Sequence, residues 1–296
     1  EIGLESISYS QISRSLNHLD SCILEEIFQQ LLVSVQEKTR PNKRNSLYLI
    51  DSSTFSLSKK RHPWAAFRKT KSGVKLHLKL CFMNDETLYP TDFTLTNAKE
   101  HDVNQLELLV DQAEATYVFD RGYLDFDRMD QLHHEGYFFV TRIKKNTKYH
   151  IFEDFETPSE TVPQIISDQH VALGSKTTLT FRFRLVTIED EKGKQLQFIT
   201  NRFDLSASEV SQAYKSRWQI ELFFKHIKQH MTIKNFFSQS ESGVHNQLIL
   251  SMIAALLTFL IKVKTKTVKS IFQIKRLFRY AIFHPFEELF CLLVPS

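Results

Sequence analysis

Two apolar runs that each end on an aspartate constrain the fold more than any other feature of the sequence. The run Leu47–Ile50 leads into Asp51, and the run Tyr117–Phe119 leads into Asp120. Short apolar runs of this kind predict buried β-strands. Because functional sites of open α/β sheets form at the carboxyl ends of strands, both aspartates are candidates for one site.

The elements around these two strands occur in a specific order. Gly73–Met83 alternates apolar and polar residues, and together with Tyr89–Asn97 it completes a predicted three-stranded meander. A helix at Asp102–Gln112 precedes the second aspartate strand, and a helix at Phe126–His134 and a strand at Tyr137–Ile143 follow it. Three antiparallel strands, a helix, a strand, a helix and a strand are the order of an RNase H-like core. The predicted fold class is therefore α/β with a mixed five-stranded sheet.

The first predicted helix begins at Asp102, which follows His101. A His-Asp pair suits a metal or catalytic site. An aspartate at the start of a helix also accepts hydrogen bonds from the first backbone N–H groups. We favour the N-cap role for Asp102.

Residues 147 to 203 differ in character from the segments on either side. Four strands are predicted there, separated by turn-forming residues: Tyr149–Phe155, Val171–Leu173, Leu179–Ile188 and Gln195–Asn201. Within them, Phe181–Arg184 alternates aromatic and basic side chains. That pattern fits a DNA-contacting strand and an ordinary half-buried strand equally well.

The stretch from Tyr214 to Lys228 contains neither Gly nor Pro and predicts one continuous helix. Upstream, Ser206 and Glu209 have the spacing of a capping box, which marks the start of a helix. A second, strongly apolar helix is predicted downstream at Val244–Ile261.

One face of the first of these helices carries four side chains suited to binding or catalysis. At about 100° per residue they share a stripe roughly 60° wide, and they are Tyr214, Arg217, Glu221 and Lys228. Apolar side chains lie directly beside the stripe, where a charge is costly unless it is paired or used. Spacing alone leaves two readings open, a functional face and a surface helix with salt links such as Arg217–Glu221.

Basic residues are segregated along the chain, so the formal net charge of +4 understates the basic surface. Residues 52 to 84 contain no acidic residue and eight basic ones: Lys59, Lys60, Arg61, Arg68, Lys69, Lys71, Lys75 and Lys79. Residues 242 to 286 contain no acidic residue and seven basic ones: Lys262, Lys264, Lys266, Lys269, Lys275, Arg276 and Arg279. Two single-sign blocks favour nucleic acid as the partner.

Cysteine usage and hydropathy bear on the compartment. Cys22, Cys81 and Cys291 are far apart and form no C-x-x-C pair, so neither a disulfide framework nor a zinc site is predicted. The apolar run Leu248–Ile261 is shorter than the roughly 20 residues of a membrane span, which predicts a buried helix. A cytoplasmic location is expected, with association with the nucleoid during activity.

The spacing Tyr214-x2-Arg217-x3-Glu221-x6-Lys228 resembles the Tyr-Arg-Glu-Lys signature of bacterial insertion-sequence transposases of the DDE (Asp-Asp-Glu) type, in the IS-four family. The match extends to Trp218, which follows the arginine, and to other neighbouring residues. In that family the glutamate is the third metal-binding carboxylate, and the tyrosine, arginine and lysine contact transposon-end DNA.

The resemblance implies a site and a fold for this chain. It makes Asp51, Asp120 and Glu221 the catalytic metal ligands. It places Asp51 on the central first strand of an RNase H-like sheet and Asp120 at the end of the neighbouring fourth strand. The DNA-binding residues that it implies are Tyr214, Arg217 and Lys228.

The residue patterns and the same resemblance together divide the chain into five parts. They are a helical N-terminal region (1–45), the first part of the catalytic core (46–146), a β-rich insertion (147–203), the remainder of the core with the signature helix (204–261) and a basic C-terminal tail (262–296). Relatives usually carry more sequence before the first aspartate, so an N-terminal portion is expected to be missing. The tail suits DNA binding or subunit contact.

Phosphodiester cleavage requires an activated nucleophile and stabilisation of charge on the phosphate, and two divalent ions can serve both ends. Three carboxylates suit Mg²⁺, with Mn²⁺ as a substitute. A carboxylate pair also occurs in glycosidases, but the basic blocks disfavour that class. The prediction is a DNA transposase that cuts the terminal inverted repeats, joins them to target DNA and acts as a homodimer on DNA.

Two other functions stay open at this stage. One is a truncated or domesticated relative that binds DNA or a partner without transposing, and a weaker one is a non-mobile RNase H-like nuclease. One departure from the family is the tryptophan content. Some relatives stack a flipped base on a tryptophan of the insertion, whereas the tryptophans here are Trp64 and Trp218.

Overall fold

The protein is a mixed α/β structure built on one large sheet, as given by a computed structural model that describes residues 7–39, 46–84, 87–157, 164–174, 182–230, 236–281 and 285–293. The strands are β1 (Leu47–Leu57), β2 (Ala66–Arg68), β3 (Lys71–Asn84), β4 (Thr87–Asn97), β5 (Thr116–Phe119), β6 (Phe138–Arg142), β7 (Tyr149–Asp154), β8 (Gln164–Leu173), β9 (Phe183–Glu189) and β10 (Gln195–Thr200). The helices are α1 (Tyr9–His18), α2 (Ser21–Thr39), α3 (Val103–Leu109), α4 (Phe126–His134), α5 (Ala207–Ser216), α6 (Trp218–His230), α7 (Glu241–Thr265), α8 (Ile271–Ala281) and α9 (Phe286–Leu293).

The sheet has ten strands in the described part of the chain, in the order β2-β3-β1-β5-β6-β10-β9-β8-β7, with β4 paired to β3. Strand β1 pairs antiparallel with β3 and parallel with β5, and β5 pairs parallel with β6. The predicted meander is confirmed as β1, β3 and β4, with the short β2 as an addition. Strands β5 and β6 and helix α4 also form where the sequence predicts them.

Strands β1 and β5 are inner strands of the sheet, and both of their faces are covered. Leu49, Ile50 and Val118 are completely buried. Central parallel strands are buried on both faces and therefore have continuous apolar sequences, which is the pattern that each run shows before its aspartate.

The polar side of β3 is buried as well, which removes two lysines from the first basic block. Lys79 is 3% exposed, and its Nζ lies 2.7 Å from Asp111 Oδ1. Lys75 Nζ lies 3.2 Å from Asp102 Oδ1. The other six basic residues of that block are exposed: Lys59, Lys60, Arg61, Arg68, Lys69 and Lys71. The basic surface is therefore smaller than the sequence suggests, because a carboxylate neutralises each of these two lysines.

The N-cap role predicted for Asp102 is wrong. Asp102 has a helical backbone and makes no capping hydrogen bond at the start of α3. Its carboxylate instead accepts a hydrogen bond from Ser52 Oγ at 2.6 Å. The Ser52 hydroxyl and the Lys75 ammonium on neighbouring strands thus provide the partners of this carboxylate.

The continuous helix predicted through Tyr214 is two helices, α5 and α6, that meet at Arg217. The Arg217 N–H donates to the Tyr214 carbonyl and the Ile220 N–H donates to the Arg217 carbonyl, both three residues apart. Three-residue spacing tightens the chain at this point. The capping box is confirmed, because the Ser206 and Glu209 side chains each bond the other's backbone N–H.

The segment from β7 to β10 continues the same sheet, since β10 pairs antiparallel with β6. Arg184 in β9 is buried and binds Asp168 in β8, with Nη2–Oδ2 at 2.6 Å. The buried-strand alternative therefore holds for Arg184, which is unavailable to DNA. Phe181 of the alternating motif lies outside the described residues.

Helix α7 is longer than predicted, with 25 residues, so Lys262 and Lys264 belong to its last turn and not to a separate tail. Its length and apolar composition are those of a membrane-crossing helix, but 61% of its most apolar window is buried in the protein. Phe28 on α2, Phe259 on α7 and Tyr89 on β4 are part of the buried core on this side. The prediction of a buried helix is confirmed.

Candidate metal and DNA site

Asp51 and Asp120 leave adjacent strands at the same level of the sheet. In the parallel pairing of β1 with β5, Ile50 is the partner of Phe119. The next residue on each strand is an aspartate. The register therefore brings together two carboxylates that are 69 positions apart in the sequence numbering.

Glu221 joins the site from helix α6, and Arg217 connects it to the first aspartate. Arg217 Nη2 donates to Glu221 Oε1 at 2.6 Å. Arg217 Nη1 lies 3.5 Å from Asp51 Oδ2. The guanidinium, which is 15% exposed, thus lies between one carboxylate on β1 and another on α6.

Burial, with a smaller contribution from the charges of Asp120 and Glu221, raises the pKa of Asp51 to about 6. The Ser52 N–H, which donates to Asp51 Oδ1 at 2.8 Å, and Arg217 oppose this shift. A buried carboxylate with two acidic neighbours is short of positive charge even beside an arginine. The site therefore favours a further cation or a proton.

Asp120 has a local role besides its place beside Asp51. Its side chain caps the 3₁₀ turn Arg121–Tyr123 by accepting a hydrogen bond from the Gly122 N–H. A Cβ at Gly122 would lie 2.9 Å from Asp120 Oδ1, so a larger residue there requires the carboxylate to move. The turn thereby fixes the direction of the Asp120 side chain.

Lys228 lies on α6, contacts β1 just beyond Asp51 and Ser52, and forms hydrogen bonds within the protein. Its Nζ donates to Ser53 Oγ at 2.8 Å and to the Thr54 carbonyl at 3.0 Å. The ammonium also lies 5.0 Å from the centre of the Phe55 ring, and burial lowers the pKa of Lys228. In this arrangement Lys228 fastens α6 to β1.

Tyr214 packs into the interior from the end of α5. Its ring centre lies 4.8 Å from that of Phe198 on β10, and the Arg217 guanidinium carbon lies 5.6 Å from the Tyr214 ring centre. Burial raises the pKa of the Tyr214 hydroxyl. Tyr214 thus supports Arg217 in the structure, and its predicted contact with DNA stays a prediction.

A groove of about 360 Å³ opens beside these residues. Its lining consists of Asp51, Ser52, Ser53, Glu221, Phe224, Lys225, Lys228 and Gln229. The sequence reasoning assigned no role to Lys225 or Gln229. A step of four residues from Glu221 along the helix identifies Lys225, and a second step of four identifies Gln229.

A polar network behind Asp51 was also missed. Ser52 Oγ donates to Asp102, whose Oδ1 lies 3.5 Å from Nδ1 of the completely buried His77. Burial lowers the pKa of His77 to about 4, so this imidazole is neutral near pH 7. No local pattern indicates these contacts, because they join β1, β3 and the start of α3.

The three carboxylates have the chemistry that a magnesium site requires, but their side chains are not arranged as one. Hard oxygen ligands are those that Mg²⁺ prefers. Within the described residues, no group of three or more His, Cys, Asp or Glu side chains is placed to hold a metal ion. The Arg217 guanidinium instead supplies positive charge between Asp51 and Glu221. The two-ion centre stays a prediction.

Comparison with known proteins gives a consistent picture. Residues 42–257 match the family model described as "Transposase DDE domain". The chain is 30% identical over 258 residues to the "Probable transposase for insertion sequence element IS5377" of Geobacillus stearothermophilus, covering 86% of this chain and 67% of that protein. It is 23% identical over 269 residues to a candidate transposase for insertion sequence element IS4SA of a Synechocystis strain, covering 86% and 71% of the two chains.

Proposed function

The chain belongs to the DDE transposase family, and from this membership we propose that Asp51, Asp120 and Glu221 are the carboxylates with which it cuts transposon-end DNA and joins it to target DNA. The observation that supports the assignment most is that Asp51 and Asp120 follow paired positions of adjacent strands, while Arg217 contacts both Asp51 and Glu221. Two strand ends in register and one helix supply the three carboxylates, and the two other acids raise the pKa of Asp51.

We further propose that the three carboxylates hold divalent cations, Mg²⁺ with Mn²⁺ as a substitute. When bound, the ions would activate the attacking oxygen and stabilise the charge of the phosphate. Asp51 and Glu221 offer oxygens that Arg217 now engages at 3.5 and 2.6 Å. The chain itself supplies the rigid positions of these ligands, through the β1–β5 register and through the contacts of Lys228 with β1.

Arg217, Lys228 and Tyr214 are proposed to serve the DNA. A guanidinium released from the two carboxylates matches a phosphate with two parallel hydrogen bonds. Lys228 keeps Glu221 at its distance from Asp51 while its positive charge faces the groove. Tyr214 packs beside the guanidinium and limits its movement.

The proposed architecture follows from the strand order. Strands β4-β3-β1-β5-β6, with β1, β5 and β6 parallel, have the order of an RNase H-like core. We assign 46–146 and 204–261 to this core and 147–203 to a β-rich insertion that extends its sheet. The remaining proposals are the helical region 1–45, the basic tail 262–296 and a homodimer on DNA.

Glu221→Gln tests the assignment, because glutamine keeps the shape of the side chain but removes the charge that a Mg²⁺ ligand requires. DNA that carries the element's own ends is incubated with the protein and Mg²⁺ or Mn²⁺, and cleavage and strand transfer are measured beside binding. We expect both reactions to fall by about a hundredfold to a thousandfold, the scale of losing one charge-stabilising group, with binding retained.

The matched control is Glu135→Gln, which changes an exposed carboxylate outside the groove and should leave all three measurements unchanged. Retained cleavage by Glu221→Gln would contradict the metal assignment. A wild-type protein that binds the ends but never cuts them would instead favour the non-transposing DNA-binding relative.

A further inference from the structure

Three cationic side chains lie at or beside the groove: Lys225 and Lys228 line it, and Arg217 contacts two of its carboxylates, Asp51 and Glu221. Two of the three are already engaged by the protein. Arg217 binds Asp51 and Glu221, and Lys228 binds Ser53 and the Thr54 carbonyl. Both must give up internal partners before they can bind a phosphate fully. The cost of breaking such partly buried contacts opposes their role as the first contact.

Lys225 differs from both. It is exposed and lies on α6 four residues after Glu221, so its side chain is on the same face of the helix. It lines the groove together with Asp51 and Glu221. Within the described part of the chain, its ammonium forms no ion pair and no hydrogen bond.

Gln229 extends the same face by another turn. It is exposed and lines the groove beyond Lys225. An uncharged amide next to a cation is a common pair on phosphate-binding surfaces, since both donate hydrogen bonds to phosphate and sugar oxygens. The groove therefore has the carboxylates of Asp51 and Glu221 along one side. Two hydrogen-bond donors, Lys225 and Gln229, lie on the exposed side of α6.

We propose that Lys225 is the residue that first binds the DNA backbone at this groove, with Gln229 beside it, and that Arg217 and Lys228 engage only afterwards. The proposal rests on the assigned function of the groove and adds to it an order of contacts. A free surface ammonium releases a counterion on binding a phosphate and loses no internal contact. The phosphate that it binds is then held beside the carboxylates.

Residue-resolved acetylation of the wild-type protein tests whether Lys225 is accessible before DNA binds and is covered once DNA is bound. Lysines are labelled with a water-soluble acetylating reagent without DNA and with a short mixed-sequence duplex, in EDTA, and are quantified by mass spectrometry. Without DNA, Lys225 should be labelled faster than Lys228, because Lys228 is half-buried and donates to two oxygens. With the duplex, the labelling of Lys225 should fall at least about threefold.

Lys215 is the internal control. It is exposed on α5 and lines a different groove with Ser46 and Thr116, at the opposite ends of β1 and β5 from the aspartates. Its labelling should be unchanged by the duplex. Equal protection of Lys215 and Lys225, or no protection of Lys225, would overturn the proposal.

The salt dependence of binding gives a second, independent measure. Lys225→Ala should reduce the log–log slope of affinity against salt by about 0.9, the value for one phosphate contact. Lys215→Ala should leave the slope unchanged. An unchanged slope for Lys225→Ala, or a wild-type protein that does not bind the duplex, would overturn the proposal.

These measurements are separate from those that test the proposed function. They are made without a divalent cation and need no cleavage. If Lys225 is protected but Glu221→Gln still cleaves, the metal assignment fails and the binding proposal stands. If cleavage depends on Glu221 but Lys225 is unprotected, the proposed role of Lys225 is wrong and the metal assignment stands.

Discussion

Arg184 and Arg217 each bind carboxylates, and the surroundings of the two arginines differ. Arg184 forms two bonds with Asp168, at 2.6 and 2.8 Å, and also donates to the backbone carbonyls of Arg202 and Leu205. Arg217 forms one close bond with Glu221 and a 3.5 Å contact with Asp51, while its buried Nε has no hydrogen-bond partner among the residues that the structure describes.

The exposure of the partners separates the two pairs further. Arg184 and Asp168 are 8% and 6% exposed, whereas the Glu221 side chain is 35% exposed and lines a groove. A fully satisfied, sealed ion pair holds its elements together and is costly to break. A partly satisfied pair that opens to solvent can exchange its partner. The Arg184–Asp168 pair therefore has a structural role, whereas the Arg217–Glu221 pair is part of the candidate site.

The largest effect on stability is expected at the sealed pair. Asp168→Asn leaves the buried Arg184 charge without a counter-charge, which should lower the free energy of unfolding by roughly 3–5 kcal/mol. Urea unfolding of the variant and the wild type at pH 7 measures it. As a matched change in the groove, Glu221→Gln should alter stability by less than about 1 kcal/mol. Similar losses for both variants would remove the distinction between the pairs.

Asp51→Asn should stabilise the folded protein, whereas Asp168→Asn should destabilise it. Because burial in the folded protein raises the pKa of Asp51 to about 6, the contribution of Asp51 to stability is most favourable below the ordinary carboxyl pKa and declines as the pH rises through the folded pKa. Without divalent cations, Asn should therefore stabilise the protein by on the order of 1–3 kcal/mol at pH 8.

The pH dependence distinguishes this effect from a change in packing. The advantage of Asn over Asp51 should shrink by about half between pH 8 and pH 5, because Asp51 is then mostly protonated. Urea unfolding at both values measures it. An advantage that is independent of pH would show that ionisation of Asp51 is not its cause.

The smallest effect is expected for Arg217, the partner that a metal ion would replace at Asp51 and Glu221. In the absence of DNA, Arg217→Ala should bind Mn²⁺ about tenfold more tightly, because a competing charge worth about 1.4 kcal/mol leaves the two carboxylates. Titration followed by electron paramagnetic resonance measures free Mn²⁺. Arg217→Lys, which keeps the charge, should stay near the wild type, and so should Arg68→Ala on the exposed surface. Weaker binding by Arg217→Ala would mean that the arginine organises the ligands and does not compete for them.

Much of the candidate site follows from local patterns. The apolar runs before Asp51 and Asp120 predict their strands, because a central parallel strand must be apolar on both faces. The capping box at Ser206 predicts where α5 begins, and helical periodicity places Glu221 on the side that faces the sheet. Each of these signals is read within a few residues.

The sequence by itself thus determined the two strands that lead into Asp51 and Asp120, the start of α5 and the identity of the acids. The tertiary structure alone decided which charges meet: Asp102 turns from its helix to Ser52, Arg184 is sealed by Asp168, and Arg217 lies between Asp51 and Glu221. Such pairings depend on strand register and on helices packed across the sheet, between residues far apart in the chain. A helical or strand period carries no information about them, since it describes only one element at a time.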